Sequence, residues 1–171
     1  IEPMSQFFKT EPDFSRKITV NISKNADLLS NMYLHVKLPS IQFSNHSYLP
    51  SNIKKFRWID KIGFGLIKHI DLEVGGVLID RINGEYLNIL YELDNKKLKG
   101  YKKMIGNVSE LTDYTDGKDG YSLDIPVHFW FHKNYNLSLP LVALYHSDIK
   151  IHVEFNSINK CYLESPTHYI T

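Results

Sequence analysis

Strict alternation in the second half of the chain constrains the fold more than any other feature. Tyr121, Leu123, Ile125, Val127, Phe129 and Phe131 share one parity, with Ser122, Asp124, Pro126 and His128 on the other. The pattern returns in Ile149, Ile151, Val153 and Phe155, set against Asp148, Lys150, His152 and Glu154. A period of two marks a strand with one buried face, because successive side chains point to opposite sides of a sheet. A helix cannot bury such a row, since its same-face neighbours recur at three and four. Aromatic residues make up 13% of the chain, with eleven Tyr and nine Phe, and such rings suit pleated surfaces.

The first half carries the same signal. Phe14, Ile18, Val20 and Ile22 alternate with Lys17, Thr19 and Asn21, and Met32, Leu34, Val36 and Leu38 alternate with Tyr33, His35 and Lys37. Pro39 ends that second run, because proline cannot donate to a ladder. Residues 40 to 57 read as a long polar loop. A strand is predicted from after Trp58 to Val74. Gly75-Gly76 then signals a hairpin into Val77–Ile82, since a tight two-residue turn needs positive φ at both positions.

The helix signal is clearest from Asn83, a capping residue, to Leu93. Tyr86, Ile89, Leu90 and Leu93 recur there at three- and four-residue spacing. Gly100 and the lysines around it mark a frayed end or a second short helix, and residues 106 to 120 read as loop. The two long strands are expected to join through a turn at Leu139-Pro140-Leu141. The fold class is therefore all-β: a jelly-roll or immunoglobulin-like β-sandwich of two antiparallel sheets, with a short helix in a long connection. The Cys…Trp…Cys pattern of immunoglobulins is missing. We expect an N-terminal arm over residues 1–13, the sandwich over 14–156 and a linker or terminal arm over 157–171.

Several function classes lose support. Net charge is +1, so no global basic field holds nucleic acid, and the local run Lys96, Lys97, Lys99, Lys102 and Lys103 reads as a solvated face. Cys161 is the single cysteine, which excludes an intrachain disulfide or a multi-cysteine zinc site. No apolar run approaches the length of a membrane-spanning helix. His128 and His132, on a continuous strand, would stand about 13 Å apart, too far to share a metal. No His-x-His pair suggests a cupin metal site, and the Gly-x-Gly of "GFGLIKH" lacks the context of a nucleotide loop. Asp113, Asp116 and Asp119 depart from the calcium-loop pattern. No catalytic residue, metal or cofactor is assigned. Sequons stand at Asn21, Asn45, Asn107 and Asn136, the last three being the better glycan-acceptor candidates because Asn21 falls in a strand. A carbohydrate-binding module is the alternative to a structural role, with Tyr33, Trp58 and Trp130 as candidate contact aromatics.

Three blocks in order carry a family resemblance: "ITVNISKNADLLSNMYLHVKLP", "WIDKIGFGLIKHIDLEVGGVLIDRINGEYLNILYEL" and "LDIPVHFWFHKNYNLSLPLVALYHSDIKIHVEF". Together they resemble the N-terminal jelly roll of the major capsid protein of large nucleocytoplasmic DNA viruses. Ala26 stands where a glycine is usual, Val127 where a leucine is usual and Ser138 where an alanine is common. The resemblance implies a structural subunit whose two tandem jelly rolls form trimeric, pseudo-hexagonal capsomers. These would self-assemble into an icosahedral shell over an internal membrane, in the virion, after assembly in the host cytoplasm. The implied partners are a homotrimer, neighbouring capsomers and minor capsid proteins. Neither direct contact with nucleic acid nor insertion into the membrane is implied. This chain, which begins at Ile1 rather than Met, is expected to be a piece of such a protein or a divergent single-domain relative. In this setting Tyr86, Leu90, Lys97, Tyr101 and Trp130 are the candidate subunit-contact residues.

Overall fold

The computed structural model describes residues 2–42, 55–94, 99–132 and 134–165. The chain forms strands β1 (Lys17–Asn21), β2 (Leu28–Leu29), β3 (Tyr33–Leu38), β4 (Ile41–Gln42) and β5 (Phe56–Trp58), then helix α1 (Ile62–Leu66). The hairpin β6 (Ile67–Val74) and β7 (Val77–Ile82) leads into helices α2 (Gly84–Leu93), α3 (Lys99–Met104) and α4 (Ser109–Thr112). Strands β8 (Gly117–Lys118), β9 (Tyr121–Pro126), β10 (Leu139–Pro140), β11 (Ile149–Phe155) and β12 (Tyr162–Glu164) follow.

Four strands make one antiparallel sheet in the order β1-β11-β6-β7. Strand β3 pairs with β9 along its whole length, from Tyr33 opposite Pro126 to Leu38 opposite Tyr121. Shorter antiparallel pairs join β2 to β10, β4 to β8 and β5 to β12. This antiparallel pairing agrees with the all-β, jelly-roll or immunoglobulin-like sandwich that the alternation predicted. In β11, Ile149, Ile151, Val153 and Phe155 are buried while Lys150, His152 and Glu154 are partly exposed. Leu34, Leu123 and Ile125 from the β3–β9 layer join them in one apolar cluster. Each such side chain contributes roughly 1.5–3 kcal/mol of burial before entropy is subtracted.

The β6–β7 hairpin turns as predicted, with φ of 58° at Gly75 and 83° at Gly76. Asp71 is buried on the polar side of this hairpin, and Arg81 donates to both of its oxygens from Nε (2.6 Å) and Nη2 (2.8 Å). Between Leu72 and Glu73 the register slips. Leu72 faces Asp80 and Glu73 faces Leu78, so Ile79 is an extra residue in the edge strand, a β-bulge.

The structure departs from the sequence expectations in five places. The strand expected from after Trp58 starts only at Ile67; Ile62–Leu66 is a short helix whose Gly63 N–H donates to the Ile105 carbonyl. The strand expected to reach Phe131 ends at Pro126. Val127 still donates to the Met32 carbonyl, but Phe129 then bonds back to the Val127 carbonyl and a 3-10 turn forms at Trp130–His132. Leu139–Pro140 is no simple turn but the short strand β10, and a run of turns from Leu141 leads to β11. Residues 157 to 165, expected as linker or arm, hold a fully buried Cys161 and the strand β12. The loops read at 40–57 and 106–120 also contain short pieces of strand and helix at β4, β5, α4 and β8.

Candidate assembly surface

Helix α2 begins where Asn83 accepts a hydrogen bond from the Tyr86 N–H at 2.7 Å, satisfying an otherwise unpaired donor of the first turn. Gly84 fixes which side of the helix faces inward. It lies so close to the end of α1 that a Cβ there would stand 2.1 Å from the Phe64 carbonyl oxygen and 2.6 Å from that of Ile67. With Gly84 inward, Leu87 and Tyr91 follow on the same face and are buried. Tyr91 meets Phe64 edge to face at 6.1 Å and stacks on Tyr101 at 5.2 Å.

The residues whose spacing signalled the helix therefore lie mostly on its outer side. Tyr86, Ile89 and Leu93 are exposed, Leu93 at 72%, and Leu90 is half-buried. Strand β7 is an edge of the four-stranded sheet, and its Val77, Leu78 and Ile79 are exposed as well. A cleft of about 230 Å³ lies between the end of β7, the first turn of α2 and the 128–130 segment. Buried Ile82 and Phe129 line it beside exposed Tyr86 and Trp130, with Asp80 and Arg81 at its polar side. Trp130 is 40% exposed between Phe129 and Phe131, which are buried.

Among the subunit-contact candidates, the structure thus brings Tyr86 and Trp130 together at the cleft, while Leu90 is half-buried one turn further along α2. Tyr101 belongs to the interior side: its ring stacks on Tyr91, and its hydroxyl is 3.1 Å from His128 Nε2. Burial pushes its pKa up to about 12. Lys97 lies outside the described residues, as does Asn45. Asn107 is half-buried and Asn136 exposed in the 3-10 turn Tyr135–Leu137. Of the aromatics considered for sugar contact, Tyr33 and Trp130 are exposed, but Trp58 is 1% exposed and belongs to the core.

The histidine geometry corrects a sequence expectation. Because the chain turns after Val127, the rings of His128 and His132 lie 4.3 Å apart, not the strand spacing of about 13 Å. Among the described residues no three His, Cys, Asp or Glu side chains cluster to hold a metal ion. His152 instead ties three strands: Nδ1 meets the Thr19 hydroxyl at 2.8 Å and Nε2 meets Glu73 at 3.0 Å. The exposed apolar stripe of α2 and the bare edge of β7 are what sequence periodicity missed. A run of three apolar residues straight after the Gly-Gly turn was the available signal.

The family described as the major capsid protein N-terminus matches residues 1–171. The chain belongs to this capsid family. Probable capsid protein 4 of Acanthamoeba polyphaga mimivirus is 42% identical over 171 residues, covering 99% of this chain and 33% of that protein. The major capsid protein of Phaeocystis pouchetii virus is 33% identical over 186 residues, covering 94% of this chain and 35% of its own length. The solved structure of the Faustovirus major capsid protein superposes with a TM-score of 0.73 at 14% identity, covering 93% of this chain and 42% of that one; this likeness bears on the fold. The chain spans about a third of the length of these curated relatives. Among the described residues no helix is long and apolar enough to cross a membrane.

Proposed function

We propose that this chain is the first sandwich of a structural capsid subunit in the virion of a large DNA virus. Copies would form trimeric, pseudo-hexagonal capsomers that self-assemble into an icosahedral shell, meeting neighbouring capsomers and minor capsid proteins at their sides. In this role the sandwich from about residue 14 is the stiff body and residues 1–13 an arm. Its work is to hold shape and present surfaces, with no catalytic step and no cofactor. The observation that carries the proposal is the exposed apolar flank of Tyr86, Ile89 and Leu93 on α2 beside Val77, Leu78 and Ile79 on β7. An edge strand with such residues bare is prone to unwanted association unless another surface covers it.

Light scattering during size-exclusion chromatography of the full-length protein tests this. A trimer is expected, and the double substitution Ile89→Asp with Leu93→Asp should dissociate it. A wild-type protein that stays monomeric across concentrations, and binds glycans through Trp130, would sink the proposal.

A further inference from the structure

The apolar flank does not say by itself what covers it, but a second feature of the same chain does. Phe7 is 87% exposed, the barest of the large apolar side chains among the described residues. Its neighbour Phe8 packs against the core, and the Gln6 side-chain amide hydrogen-bonds the Ser23 hydroxyl just beyond β1. Phe8 is thus held inward while Phe7 stands bare beside it, and the Gln6 bond ties this stretch to the end of β1, an edge strand of the four-stranded sheet.

The cleft of Tyr86 and Trp130 adjoins β7, at the opposite edge of that sheet. Three strand spacings, about 14 Å, separate the two edges, and the anchored arm holds its Phe7 on the far side from its own cleft. The cleft has room for one aromatic side chain, and rings of Tyr86, Phe129 and Trp130 line it. Charges flank both features. Lys9 and Glu11 follow Phe7 and are exposed. Asp80 and Arg81 border the cleft, and Arg81 uses Nε and Nη2 for Asp71, which leaves Nη1 directed elsewhere.

We propose that Phe7 of one copy seats in the Tyr86–Trp130 cleft of the next, joining copies β1 edge to β7 edge. Lys9 then faces Asp80, and Glu11 faces Arg81. The contact uses two different surfaces of one chain, and such heterologous contacts close into rings when the rotation permits. The proposal rests on the capsid reading above and adds the partner segment to it.

The test uses a synthetic peptide of residues 2–13 and the 171-residue chain. Acrylamide quenching of tryptophan fluorescence reports on Trp130, since Trp58, the other tryptophan, is buried. The peptide should shield Trp130 saturably, and its Phe7→Ala version should need about tenfold more for the same effect. In the full-length protein, Phe7→Ala should weaken self-association and leave the unfolding temperature unchanged, as befits so bare a residue. The proposal is overturned if the peptide gives no shielding, or if the Phe7→Ala peptide shields equally well. A trimer that dissociates with Ile89→Asp and Leu93→Asp but ignores Phe7→Ala would also remove it, while leaving the capsid reading in place. A protein that never associates removes that reading itself.

Discussion

Replacing Gly84 with alanine sets two effects of opposite sign against each other. In an ordinary helix interior the change stabilises by about 1 kcal/mol, because alanine has the higher helix propensity. Here the new Cβ would lie 2.1 Å from the Phe64 carbonyl oxygen, where ordinary contact begins at 3.4 Å, and 2.6 Å from that of Ile67. Both obstacles are backbone atoms at the α1–β6 junction, so no side chain can rotate away. Helix α2 must back off by roughly an ångström, and Leu87 and Tyr91 lose close packing as it does. At the upper end of overpacking costs, about 3 kcal/mol, a net loss of about 2 kcal/mol remains once the propensity gain is subtracted. For a domain of this size that lowers the unfolding temperature by about 4–8 °C. Gly100→Ala in α3 is the matched control, since its Cβ would meet nothing within 4 Å; it should be neutral or stabilising by up to about 1 kcal/mol. Thermal and urea unfolding of both variants decides the matter. If Gly84→Ala unfolds at or above the wild-type temperature, close approach does not fix the face of α2.

Three further outcomes follow from the geometry. Arg81 holds the Asp71 carboxyl below its ordinary value, His152 does the same for Glu73, and Lys68 for Glu154. A lowered folded pKa gives stability that is present above the ordinary value, about pH 4, and is lost as pH falls through the lowered one. Urea midpoints should therefore drop below about pH 4, and Asp71→Asn should flatten that drop while costing about 1–2 kcal/mol at neutral pH. Cys161 is buried and its thiol is pushed up to about 11, so a thiol reagent at mildly alkaline pH should label it only in denaturant; rapid native labelling would mean that residues 157–165 detach. Gly76→Val places a β-branched residue at φ 83° and should cost about 1–2 kcal/mol, read as a lower urea midpoint without loss of the fold.

Strand β11 was fully legible because one face of it is buried and the other polar, so its composition mirrors its environment residue by residue. The same logic misled from Val127 onward. Phe129 and Phe131 keep the buried parity, yet a bond from Phe129 back to Val127 and a 3-10 turn carry them inward by a different path. Parity records burial, and burial alone does not distinguish a strand from a tight turn under a sandwich. Helix α2 was legible in extent and in its Asn83 cap. Its inward face was not, because Gly84 has no hydrophobicity to register, although it decides the orientation. The flank with Tyr86 and Trp130 was thus named in part from the resemblance, and the bare edge of β7 was missed because periodicity finds what is buried.

The bulge at Ile79 bears on the proposed joining of copies at this edge. An edge that ended in a regular ladder would accept any extended backbone, with little discrimination and slow release. The extra residue breaks the spacing of donors and acceptors along β7, so an incoming strand finds no continuous row to match. Attachment at this edge then depends on side chains whose shapes must agree, each contact weak and reversible. In the proposed shell role, copies docked out of place would let go and try again, the condition for growing an ordered lattice without locking in mistakes.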